Sequence, residues 1–147
     1  MRYPAHDREQ GSISLLLIGL CALLLLIASV TIGITQVYIE KSKLQALADQ
    51  TASAVANSVE TVELNGEAPQ VIFTDSQVSE ATRTFLTDSG AYDQFNQLAI
   101  GPATGSSDNR SANVELTSYA RVPMVSLVLP EGVPISAQST ARSRLQQ

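Results

Sequence analysis

From Gly11 to Ile39 the chain runs 29 residues without a charged side chain, and this stretch limits what everything else can be. As a helix it would rise about 43 Å at ~1.5 Å per residue, against roughly 30 Å of bilayer hydrocarbon. It is long enough to span with tilt or to project beyond the lipid. The run predicts a membrane anchor with a small cargo on a stalk. A secretory signal would have an apolar region of about 7 to 15 residues before a small-residue cleavage site, and this run is far longer. Ala46-Leu47-Ala48 has the A-x-A form but lies beyond Glu40, Lys41 and Lys43. A lipoprotein attachment at Cys21 would need a small residue before it where Leu20 stands, so Cys21 reads as an apolar residue of a membrane helix.

The apolar pattern continues past the first charges. Leu44, Leu47, Ala48, Ala52, Val55, Ala56 and Val59 follow the i, i+3, i+4, i+7 spacing of one helix face, with no proline before Pro69. One rod from Ser12 to Glu60 is the simplest outcome, with Gly19 and Gly33 as the places where it could bend. The alanines on this face allow close approach by another surface. That surface is either the chain's own C-terminal region or another subunit, and the pattern suits both.

Beyond Asn65-Gly66, a turn signal, the character changes. Thr74-Asp75-Ser76-Gln77 has capping-box spacing and predicts a short helix burying Val78, Ala81, Phe85 and Leu86, with Gly90 as the left-handed residue that ends it. A first strand is expected over Phe95–Ile100, then a flexible Gly101–Asn109 loop. Asn113 to Val122 alternates Val114, Leu116, Ala120 and Val122 with polar residues, and Val133 to Arg142 repeats the period. Val125 to Leu129 is apolar, and Pro130-Glu131-Gly132 suits a reversal. Pro123 and Pro134 belong at strand ends or an edge, since each lacks a ladder donor. The fold class is therefore α+β: a long transmembrane helix continuing as an amphipathic stalk, then a short helix and a small antiparallel β-meander.

Charge and composition exclude several function classes. From Leu44 onward five basic residues face eleven acidic ones, a net of −6 that repels phosphates and argues against nucleic acid as a partner. The one histidine, His6, precedes the span and the one cysteine lies within it, so the C-terminal region has no material for a histidine-dependent triad or a Cys/His zinc site. Asp75, Glu80, Asp88 and Asp93 are scattered over a helix and its flanks and read as caps and solvated groups. Asn109-Arg110-Ser111 fits a glycosylation sequon, to which no role is assigned. No catalytic residue, cofactor site or metal site is identified, and no small-molecule substrate is expected. Arg2 and Arg8 before the span, Lys41 and Lys43 after it, and the α-amino group tip the count toward a cytoplasmic N-terminus.

Gly11-Ser12-Ile13-Ser14-Leu15-Leu16, the apolar helix, and then the segment from Tyr38 through Lys43-Leu44-Gln45-Ala46-Leu47-Ala48-Asp49 to Ala52 resemble the N-terminal region of the TadE/TadG-like proteins of Flp (Tad) pilus and related bacterial secretion systems. The likeness covers roughly residues 8 to 56, and the small alternating residues from Ser136 to Ala141 are similar to those of short actinobacterial TadE-like members. The resemblance implies a pseudopilin-like component of the inner (cytoplasmic) membrane, passing once, whose partners are membrane lipid and other pseudopilin-like or secretion-system membrane subunits. Its parts would be a cytoplasmic leader (1–11), a transmembrane helix (12–39), an amphipathic extension (40–60) and a small extracytoplasmic α+β domain (61–147). It further implies a processing position at Gly11, Ser12, where a prepilin peptidase would cut after the glycine. The pilin-type glutamate five residues after such a cut is replaced here by Leu16. On this reading the role is assembly by helix packing, not catalysis, with Leu44, Leu47, Ala48, Ala52, Val55, Ala56 and Val59 as the assembly face. The alternative is a signal-anchored extracytoplasmic binding domain unrelated to pili, which would fold and bind without the helix.

Overall fold

The apolar run and the amphipathic stripe form one helix, α1 (Gln10–Glu60), of 51 residues and about 77 Å at ~1.5 Å each. The structure, a computed structural model, describes residues 10–60, 73–122 and 130–142, with the side chains of α1 from 13 to 58. Three hydroxyls inside the apolar run bond back to the preceding turn: Ser29 to the Leu25 carbonyl (2.8 Å), Thr31 to Ile27 (3.0 Å) and Thr35 to Thr31 (3.0 Å). This satisfies polar groups that lipid could not.

A second helix, α2 (Asp75–Asp88), starts where the capping spacing places it. The Thr74 backbone N–H donates to Gln77 Oε1 at 3.2 Å, and the Thr74 hydroxyl donates to the same oxygen at 2.8 Å. Gly90, at φ 65°, ends the helix and leads into the single turn α3 (Ala91–Gln94). Val78 and Leu86 are buried as expected, but Ala81 and Phe85 are only half-buried, and Thr82 takes the interior position between them.

Three strands follow, β1 (Ala99–Ile100), β2 (Ser111–Ala120) and β3 (Val133–Arg142), in an antiparallel sheet of order β1-β2-β3. The expected first strand over Phe95–Ile100 is shorter because Asn96 and Gln97 form a turn, Gln97 having φ 52°. The Asn96 carbonyl there accepts the Tyr119 N–H (3.1 Å) and the Ser118 hydroxyl (2.8 Å). β2 starts two residues before Asn113 and ends at Ala120, although Val122 beyond it stays buried. Pro134 sits on the edge strand β3, opposite Tyr119, where its missing donor costs no ladder bond. Gly132, at φ 91°, completes the approach to β3, and a Cβ there would stand 2.6 Å from the Ala120 carbonyl oxygen. Asn65-Gly66, Pro123 and Val125–Leu129 lie outside the described residues.

The sheet has one wet and one dry face. On the wet face the β2–β3 register sets Asn113 against Thr140, Glu115 against Gln138 and Ser111 against Arg142. Each pair is hydrogen-bonded, at 2.7, 3.3 and 3.2 Å. On the dry face Val114 meets Ser139, Leu116 meets Ala137 and Ser118 meets Ile135. The small residues of β3 on that face let α1 lie close against the sheet. One core joins Leu44, Ala48 and Ala52 of α1 to Leu86, Val114, Leu116 and Ile135, and a second joins Val55 and Ala56 to Phe73, Val78 and Ala112.

The Gly101–Asn109 loop, read as flexible from its composition, is pinned by three carboxylates. Asp75 Oδ1 accepts the Ser106 N–H (2.7 Å), and Glu115 Oε2 accepts the Ala103 N–H (2.9 Å). Asp108 Oδ1 accepts the N–H groups of Arg110 (3.0 Å) and Ser111 (2.7 Å). Gly105 forms a bridge to Asn113 that ties the loop to the sheet.

Candidate functional site

Two surfaces of α1 matter, and they differ completely in cover. Along the stalk, Leu44, Ala48, Ala52, Val55 and Ala56 are buried by the chain's own sheet and α2, and Leu47 is half-buried at the rim. Gln45, beside this face, donates from Nε2 to the Gln138 carbonyl of β3 at 2.9 Å. The stripe is therefore core in this chain, and of its two possible partners the internal one occupies it. The side chain of Val59 lies outside the described residues. Thr51, next to Ala52 in the chain, is fully buried, its hydroxyl returned to the Leu47 carbonyl at 2.7 Å.

Along the apolar run the opposite holds. Residues from Ile13 to Ala28 are exposed without exception, Leu15 at 75% and Leu16 at 71%. Large apolar side chains left bare in this number are incompatible with water and mark a surface made for lipid or for other helices. Cys21 is exposed on this surface with a free thiol. A Cβ added at Gly19 would meet nothing within 4 Å, so this position is open to a close neighbour. Gly11 and Ser12 both lie inside the first turns of α1.

Between the two surfaces the domain reaches down along the helix. Ser29, Gly33, Gln36, Val37 and Glu40 are half-buried and continue the Leu44–Ala56 face toward the N-terminus. Val122, 2% exposed, packs its Cγ1 within 3.3 Å of where a Gly33 side chain would begin. The sequence marked Gly33 only as a bend; its place one turn below Val37 on the domain-facing stripe was the available signal.

Chemically reactive arrangements are sparse. Among the described residues no group of three or more His, Cys, Asp or Glu side chains stands close enough to hold a metal ion. Asp108 has a perturbed acidity: the Arg110 N–H, the Ser111 hydroxyl and N–H, and the nearby Arg142 guanidinium together hold it below the usual carboxylate value. Its hydrogen bonds go to Arg110 and Ser111, where the loop enters β2, so the shift belongs to loop closure. The described residues also form a polar cleft of about 570 Å³ lined by Glu40, Tyr92, Asp93, Asn96, Tyr119 and Arg121. Within it Arg121 Nη2 is engaged by Asn96 Oδ1 at 3.1 Å.

Residues 11–58 match the family model described as putative Flp pilus-assembly TadE/G-like. The N-terminal segment of this chain is TadE/G-like. The TadE/G-like match takes in nearly all of α1 and stops before α2 and the sheet. No curated protein and no solved structure gives a match to the chain. A TadE/G-like segment on one helix long and apolar enough to cross a membrane supports a membrane component of pilus assembly.

Proposed function

We propose that this protein is a non-enzymatic, pseudopilin-like subunit of a Tad/Flp-type pilus or secretion apparatus, and that it acts by packing its apolar helix against those of sister subunits. The observation that carries the reading is the coincidence of the TadE/G-like match with a helix whose apolar half is bare while its amphipathic half is covered. Among the described residues nothing of its own chain covers the bare half, and bilayer helices associate through close contact between small residues. The assembly surface is thus assigned to the span, and the Leu44–Ala56 face holds the subunit's own domain on its stalk. The four-part division at residues 11, 39 and 60, the cytoplasmic-membrane location, the cytoplasmic N-terminus and the option of cleavage between Gly11 and Ser12 all belong to this proposal.

Replacing Gly19 by isoleucine tests it. Among the described residues nothing stands within 4 Å of a Cβ placed there. Membrane insertion and the fold of the sheet should therefore be unchanged, while a close helix contact there should lose about 1–3 kcal/mol, the usual cost of forcing methylenes into a packed interface. The measurement is co-purification with sister subunits from native membranes. Unchanged recovery would remove Gly19 from the contact, and unchanged recovery across a scan of the bare face would remove the proposal.

A further inference from the structure

α1 carries a second pattern, on the side turned away from the domain. Every seventh residue from Ser14 is small: Ser14, Cys21, Ala28, Thr35 and Ser42. Four residues after each of the first four stand Ile18, Leu25, Ile32 and Ile39, and Ala46 continues that row. Both rows are exposed along their whole length. No other seven-residue row of the span is uniformly small: the one through Gly19 and Gly33 is broken by Leu26, and the one through Ala22 and Ser29 begins at Leu15 and reaches Gln36. Steps of four and three in alternation are the spacing of a coiled-coil seam. On an ideal straight helix such a repeat drifts by about 20° per heptad, so a repeat held over four heptads answers to a partner helix wound about it, whereas lipid has no period to match.

The seam does not stop with the lipid. Ile39 is followed directly by Glu40, which pairs with Lys43 at 3.2 Å, and by the exposed Lys41, so this level is wet. Ile39 is nevertheless 46% exposed, and the rows run on through Ser42 and Ala46. Lipid does not cover that end. The chain's own domain does not cover it either, since it packs on the other side, against Gly33, Val37, Leu44 and Ala48.

An identical helix suits this seam. Copies anchored in one membrane by the same segment run in the same direction, so in register each row meets itself, small against small and aliphatic against aliphatic. No charged side chain stands on either row before Asp49, so self-pairing sets no like charges together along the span. Isoleucine confined to one of the two rows favours two strands over three or four, and small residues in the other let the backbones approach closely.

We infer that α1 forms a parallel two-stranded coil with a second copy of this chain, through the Ser14–Ser42 and Ile18–Ala46 rows, from within the membrane to beyond Ile39. The inference rests on the proposed packing role of the apolar helix and deepens it by giving the second copy a face of its own. Gly19 and Leu26 lie off these rows, so the side they occupy stays available to sister subunits, and the pair presents two such sides.

The test uses the full chain in native membranes, made as two differently tagged copies in the same cells. Cys21 is the native reporter, and Ala28→Cys, Thr35→Cys or Ser42→Cys in a Cys21→Ala background extend it along the seam. Leu26→Cys and Ile34→Cys, 61% and 66% exposed but off the rows, are the controls. A disulfide needs Cα atoms roughly 4.4–6.8 Å apart, which in such a pair the seam supplies and the controls do not, so copper–phenanthroline should join the two tags roughly tenfold faster at seam positions. Equal rates at seam and control positions overturn the inference. So does a seam that links only to a different protein, which would make a sister subunit its occupant. Either failure leaves co-purification through Gly19 to be read on its own, so the loss of this pairing and the loss of the proposed function are separate results.

Discussion

Thr82 is fully buried on α2, and its hydroxyl has no hydrogen-bond partner among the described residues. A sealed, unpaired hydroxyl forfeits its hydration for nothing, so Thr82→Val, which keeps the shape, should raise the domain's stability by about 1 kcal/mol, read as a higher melting temperature in detergent. Asp108 acts in the opposite sense. Its acidity is increased in the folded chain, so its contribution is complete above the ordinary carboxylate value of 3.8 and is lost as pH falls through the lowered folded value. Melting temperatures of the parent and of Asp108→Asn should therefore differ at pH 6 and converge on acidification below pH 4. A difference that persists at low pH would mean that the loop is held by other bonds. The sequence singled out neither residue: the helix pattern gave Val78, Ala81, Phe85 and Leu86 as the buried side, and the Arg110 N–H and Ser111 groups that chiefly lower Asp108 are set by how the loop turns into β2, with Arg142 adding least.

At the scale of elements, legibility followed the range of the signal. The rod could be read because hydrophobicity and a 3.6-residue period are local, and β3 was bounded at Val133 and Arg142 because its alternation is unbroken. The cap of α2 was equally local, since Thr74 and Gln77 are three residues apart. What could not be read was which surface the stalk touches, because that depends on pairing β3 to β2 so that Ala137 and Ser139 clear a path for Ala48 and Ala52. The consequence is a changed expectation for that face. Ala52→Glu would put an unpaired carboxylate at a position with no exposure, costing about 3–5 kcal/mol. Limited proteolysis should show the sheet opened while α1 stays in the membrane; a sheet as resistant as the parent's would mean that the stalk is not held as described.

For the whole molecule, the two halves of α1 divide the labour. The amphipathic half is occupied by the chain's own domain, and on the function proposed above the apolar half is left to lipid and neighbours. A photoreactive side chain at Leu23, 53% exposed on the span, and another at Leu47, half-buried at the stalk rim, separate the two roles in native membranes. Leu23 should yield adducts with sister subunits, and Leu47 should yield adducts within its own chain. Capture of sister subunits from Leu47 with lipid alone from Leu23 would contradict the account.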